Sequence, residues 1–247
     1  MIVDAFVQVG KSIHGYENPP EEVLRNMEEY GIDKSVICPV QPYTYNLEPQ
    51  NDYVSGLVKK YPQSLIGFCR VDPRQTDKAV SEVNRSIEEL GLKGVFLHPW
   101  EESYKVNEDF VIPILRQAAA LKVPVMIATG YPWVSHALQV AHLAEQVPEV
   151  NIIMTHGGQI NISGLAQADA AIALRFHKNL FIETSGVYRQ DFIEEAIEEF
   201  GAHRVFFGSN SPKMHQGFEL DRAISATKNH PLQSVVLGEG IKQLLNM

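Results

Sequence analysis

The chain has 247 residues, 45% hydrophobic and 21% charged, the proportions of a globular protein and the usual size of one (β/α)8 barrel. Its formal net charge of -9 argues against nucleic acid or an anionic membrane as partner, because both select basic surfaces. No apolar run reaches the roughly 18 residues of a membrane span, and strand-like residues start at position 2 in place of a charged leader, so a cytoplasmic protein is expected.

The opening MIVDAFVQVG reads as an apolar strand, with Phe6 and Gln8 two residues apart and on one face. Pro19 and Pro20 precede a helix over 21–30, with an acidic first turn, apolar residues Val23, Leu24 and Met27, and Gly31 as its stop. A β-branched run over 34–40 is the second strand, and a helix over 51–61 follows it. The third strand covers 65–71 and its helix 76–90. The fourth covers 94–97 and ends at His98-Pro99-Trp100, before a helix over 108–121. The fifth strand, 123–128, stops at Thr129-Gly130 and leads to a helix over 134–146. The sixth, 151–155, ends at His156-Gly157-Gly158, with a helix over 164–177. The seventh strand covers 179–184 and its helix 190–200. The eighth covers 204–208 and ends at Ser209-Asn210-Ser211-Pro212, with helices over 218–227 and 231–245 after it.

Eight strand–helix units of about 31 residues, with no composition break, predict an α/β chain: one (β/α)8 TIM barrel as a single domain over 1–247. An open doubly wound sheet is the alternative, but VQVGKSIHG matches neither nucleotide fingerprint. Cys38 and Cys69 lie in strand-like runs and are expected as buried thiols.

Active sites of such barrels lie at the C-terminal strand ends. Those ends carry Gln8, Arg70, His98, Thr129, His156, Glu183 with Ser185, and Asn210. Solvated loops make any one polar strand end unremarkable in itself; their joint position on one rim is what points to chemistry.

The turns GFCRVDP, GVFLHP, PVMIATG, NIIMTHGG, NLFIETSG and RVFFGSNSP, with the C-terminal LGEGIKQLL, resemble the amidohydrolase 2 family over nearly the whole chain. That group holds decarboxylases and hydrolases related to aminocarboxymuconate semialdehyde decarboxylase. The resemblance implies one divalent metal, held by His-x-His on strand one, a His on strand five, often a His on strand six and an Asp on strand eight. Phe6 and Gln8 stand at the His-x-His positions here, Ala128 at the strand-five His and Asn210 at the strand-eight Asp, while His156 matches and His98 keeps the strand-four His-Pro. Phe6 and Ala128 offer no donor atom, and Gln8 and Asn210 only a neutral amide oxygen. The expectation is therefore a barrel without the family's metal centre and without a cofactor.

Three functions are compatible with that. One is a metal-independent, lactonase-like hydrolase on a small carboxylated or cyclic ester substrate. There His156 would serve as base, His98 would orient, and Gln8 and Asn210 would donate to a carbonyl oxygen. Arg70 would pair with a substrate carboxylate, or else with Asp72 in the barrel wall. Tyr131, Trp133 and Glu183 complete the expected binding set. The second is a non-catalytic binder whose Phe6, Trp100, Tyr131 and Trp133 line a small-molecule pocket. The third is a rebuilt site for a divalent metal such as zinc, at His98, His156 and Glu183. His136, His142 and His177 fall on helices; His14, His215 and Lys213 are near enough to the rim to reach it, and Ser209 and Ser211 read as turn residues. A homo-oligomer is expected, as barrels of this type commonly pair through outer helices.

Overall fold

The apolar N-terminal run becomes β1 (Val3–Lys11) in the computed structural model, which describes residues 1–159 and 164–247. Strand and helix then alternate: α1 (Pro20–Tyr30), β2 (Lys34–Pro39), α2 (Glu48–Lys60), β3 (Leu65–Gly67, resumed at Cys69–Arg70) and α3 (Asp77–Glu88). Next come β4 (Val95–Leu97), α4 (Ile112–Ala120), β5 (Val125–Ile127), α5 (Ala137–Gln146), β6 (Ile152–Met154) and α6 (Gly164–Phe176). The series ends with β7 (Leu180–Glu183), α7 (Gln190–Phe200), β8 (Val205–Phe206) and α8 (Gln216–Ala226).

Each strand pairs in parallel with the next, from β1 with β2 to β7 with β8. The ring closes between its first and last members. Ala5 N donates to Phe207 O at 2.9 Å, Asn210 N to Phe6 O at 2.7 Å and Gln8 N to Ser211 O at 2.8 Å. That closure excludes the open sheet. Fully buried parallel strands explain why β2, β4, β5 and β6 are short and almost wholly apolar.

Alternation along the strands splits the apolar residues into two cores. Ile37, Leu97, Ile127, Met154 and Ile182 point outward against the helices, while Cys38, Phe96, Met126, Ile153 and Phe206 fill the lumen. The register shifts between Asp4 and Val7, so the consecutive Ala5 and Phe6 both join the lumen cluster, a bulge's usual geometry. Cys38 and Cys69 are buried free thiols, as expected.

The structure departs from the sequence reading in a few places. A two-residue strand, Glu17–Asn18, folds back on Gly10 and Lys11 and was not foreseen. Residues 134–136 stay outside α5, because His136 and Gln139 cap its first turn from there. The helix expected over 231–245 breaks into a π-type turn, Val235–Glu239, and α9 (Gly240–Leu244). Gly238 sits at that break, where an added Cβ would lie 2.5 Å from Met1 O. The chain passes under the start of β1 too closely for a regular helix with side chains.

Candidate active site

At the C-terminal mouth, β1 presents the buried amide of Gln8 and the β8–α8 turn presents Asn210, whose backbone is left-handed (φ 51). Gln8 Nε2 donates to Asn210 Oδ1 at 2.8 Å, and Tyr16 OH donates to Gln8 Oε1 at 2.9 Å. Four residues earlier on β1, Asp4 Oδ2 accepts from the Ser209 hydroxyl at 2.6 Å and from Gln216 Nε2 at 2.7 Å. Burial raises the Asp4 carboxyl to about 6 against those hydrogen bonds. It pins the seam where the barrel closes, and Ser209 is the turn residue the sequence suggested.

His98 follows β4. Its Nδ1 accepts the Glu101 backbone N–H at 3.3 Å, so the ring carries its proton on Nε2, 3.4 Å from Glu101 Oε1. Burial holds this imidazole well below its usual pKa, hence neutral. Glu101 Oε1 also accepts from Lys213 Nζ at 2.8 Å, and Glu101 Oε2 from Arg70 at 2.7 Å. Burial alone would raise the Glu101 carboxyl, but the Arg70 and Lys213 cations outweigh it and hold the group well below the usual carboxylate range. The Lys213 side chain is 25% exposed, and its ammonium lies 4.9 Å from the Tyr16 ring centroid. Burial lowers its pKa, opposed by Glu101.

His156 follows β6 in a left-handed conformation (φ 57), with Gly157 and Gly158 also at positive φ. Its Nδ1 lies 3.0 Å from Ser185 O, an acceptor only, so Nδ1 carries the proton. Nε2 keeps a lone pair and has no hydrogen bond among the described residues. Burial lowers this imidazole to about 4. Its ring packs edge-on to Phe6 at 6.4 Å, while Phe6 meets Phe96 at 5.2 Å and Phe96 meets His98 at 5.8 Å. The two neutral histidines thus flank an aromatic floor.

Gln8, His98, His156 and Asn210 therefore share the mouth, with Tyr131 at its side, 5.6 Å from the His98 ring. The other placements differ from expectation. Arg70 is fully buried and ion-paired with both Glu101 and Glu102; it is not a substrate clamp, and Asp72 pairs with Arg74 instead. Glu183 is not a substrate ligand either. It accepts from His156 N at 3.2 Å and from the Ser185 hydroxyl at 2.8 Å, and burial raises it to about 8. Trp133 stands away from the mouth, 85% exposed, in an outer groove with Trp100, whereas Phe6 is buried in the lumen, so these aromatics do not form one pocket. His98, His156 and Glu183 do not converge as metal ligands. His215 caps α8 through Phe218 N, outside the mouth, and His14 is exposed. Tyr16 and Glu101 were missed. The acidic Glu101-Glu102 pair directly after a strand-end His-Pro-Trp was the available signal.

Comparison with known proteins supplies the context. A family model described as Amidohydrolase matches residues 46–233. A gamma-resorcylate decarboxylase of Polaromonas sp. is 22% identical over 246 residues, covering 76% of each chain. The crystal structure of 2,6-dihydroxybenzoate decarboxylase from Rhizobium superposes with a TM-score of 0.79 at 17% identity, over 100% of this chain and 99% of that one. A dihydroxybenzoic acid decarboxylase from Polaromonas sp., solved with bound manganese and 2-nitroresorcinol, superposes at 0.78 with 16% identity, over 99% and 96%.

These comparisons confirm the barrel and correct two expectations. The relatives are decarboxylases, which leaves the lactonase-like reading without support. The manganese in a solved neighbour overturns the expectation of a site with no cofactor. Among the described residues no group of three or more His, Cys, Asp or Glu is arranged to hold a metal, and the two mouth amides are hydrogen-bonded to each other. That donor set does not fit a manganese ion.

Proposed function

Since the chain belongs to the amidohydrolase family, we propose that its barrel mouth is the active site of a carbon–carbon lyase that removes the carboxyl group from a small aromatic acid. The names of the relatives motivate the reaction class; the geometry supplies the roles. The observation that carries the reading is Lys213, a partly exposed ammonium in a mouth whose two histidines are held neutral. Glu101 takes one of its three N–H donors and His98 Nε2 lies 3.5 Å from the ammonium, and the carboxylate of the substrate is assigned to the donor that remains.

The net reaction is ArCOO⁻ + H⁺ → ArH + CO2. The bond between ring carbon and carboxyl carbon breaks, and its electron pair takes a proton delivered to the ring carbon. His156 Nε2 is the proton carrier: held low by burial, its imidazolium, once formed, is a strong donor. Tyr16, Gln8 and Asn210 form the polar wall that orients ring hydroxyls.

The test incubates the purified chain with 2,6-dihydroxybenzoate and related hydroxybenzoates in D2O, with and without added Mn2+, following CO2 and ring deuteration by NMR. Deuterated phenol in either condition supports the reading. Lys213→Met should then lower kcat/KM by about 100-fold, about 2.7 kcal/mol, the loss typical of a desolvated charge partner. Binding of these acids without CO2 release in both conditions would sink it.

A further inference from the structure

Outside the mouth, beyond the turns that follow β4 and β5, lies a groove of about 700 Å³ lined by Trp100, Tyr104, Phe110, Trp133, Arg74 and Lys105. It holds both tryptophans of the chain, and both are solvent-facing, Trp100 at 56% and Trp133 at 85% exposure. Large aromatics gathered in the open mark a binding surface more often than chance. Trp133 also has a left-handed backbone (φ 63), a conformation that costs a bulky residue about 1 kcal/mol or more. The surrounding turn enforces it: Val134 N and Ser135 N both donate to Tyr131 O, and Gln139 Nε2 donates to Trp133 O. The turn keeps an indole in water against both solvation and backbone preference.

We propose that this groove is a second binding site, for a planar aromatic monocarboxylate, separate from the mouth. The planar preference comes from Trp100, stacked on Tyr131 at 5.5 Å and 12°, which leaves the indole lining the groove as a ready stacking face. The charge preference comes from the rim. Arg74 is already paired with Asp72, whereas Lys105 is exposed and makes no ion pair among the described residues, so it is the cation that meets a carboxylate. Glu108 on the same rim opposes a second negative charge. Tyr131 stands between groove and mouth, its ring against Trp100 on one side and His98 on the other. The site does not depend on the reaction assigned to the mouth.

Because Trp100 and Trp133 are the only tryptophans, indole fluorescence of the full chain reports on this groove and, through the Trp100–Tyr131 stack, on the neighbouring mouth, which the Lys213→Met chain separates. Titration with benzoate should give a saturable change. Cyclohexanecarboxylate and terephthalate should bind at least about tenfold more weakly, about 1.4 kcal/mol. Trp133→Leu, at an exposed position, should weaken benzoate by a similar factor, and Lys105→Gln should do so while leaving the signal intact. Lys213→Met should not move the dissociation constant. The proposal fails if benzoate gives no saturable change, or if cyclohexanecarboxylate binds equally well. It fails equally if Lys213→Met abolishes the response while Lys105→Gln does not, since the ligand is then in the mouth. None of these outcomes depends on whether CO2 is released, so the two readings fail separately.

Discussion

Arg70 shows how far single residues could be read. Its place at the end of β3 was legible, but its partners were not, because Glu101 and Glu102 lie 31 and 32 residues away. That separation is one strand–helix unit, which in a parallel barrel means the next strand, so the pairing follows once closure is known. The guanidinium is buried completely; burial works against its charge, but Glu102 and Glu101 outweigh that and raise its pKa. Removing it leaves two carboxylates buried with one cation fewer. Arg70→Met should therefore cost about 3–5 kcal/mol of stability in urea denaturation, the range for breaking a buried pair from one side. Glu102→Gln in the same background should recover part of that loss. An Arg70→Met chain as stable as the parent would show that the pair contributes nothing to the fold.

At the scale of elements, the strand ends were the most legible part of the chain and the turns after them the least. Gln8, His98, His156 and Asn210 were found because each closes an apolar run, and the structure brings all four to one mouth. Glu183 was found by the same rule and misassigned, because alternation places it inward but says nothing of depth. It lies under the β6 turn and supports His156 through the backbone N–H and through Ser185. The neighbouring strand end is cut to fit it. An added Cβ on Gly208 would lie 2.5 Å from both Cγ and Oε1 of Glu183. This carboxyl is tied by several hydrogen bonds and cannot swing aside, so Gly208→Ala should act as overpacking, lowering stability by about 1–3 kcal/mol. The pair should be non-additive: Glu183→Ala with Gly208→Ala should be more stable than the sum of the two losses predicts, as measured by a double-mutant cycle. Strict additivity would mean that the clash is relieved elsewhere.

For the whole molecule, the eight-unit rhythm was sufficient to expect closure, since short buried strands and amphipathic helices leave few other arrangements. What composition could not show is how many titratable groups the closed barrel takes out of water, and this sets its pH response. Glu183, Glu102 and Asp4 are raised by burial, to about 8, about 7 and about 6. A carboxyl raised in the folded state stabilises fully below its unfolded pKa and loses that contribution as pH climbs to the folded value. His156, lowered to about 4, acts in the opposite sense: the unfolded chain takes up its proton first, so stability falls as pH drops from 6.5 towards 4. His98 and Glu101, both lowered, steepen that acid limb. Well above pH 6.5 His98 and His156 are neutral in both states, and the carboxyls raised by burial, Glu183 and Glu102 foremost, set the slope. The melting temperature should therefore decline from pH 6.5 to pH 8, a range in which an ordinary acidic protein changes little. Glu183→Gln removes the group titrating highest, so its profile should be visibly flatter across that interval while keeping the acid limb. A parent chain whose melting temperature is level from pH 6.5 to 8 would mean that Glu183 is already ionised in the fold, held there by the donors from Ser185 and His156.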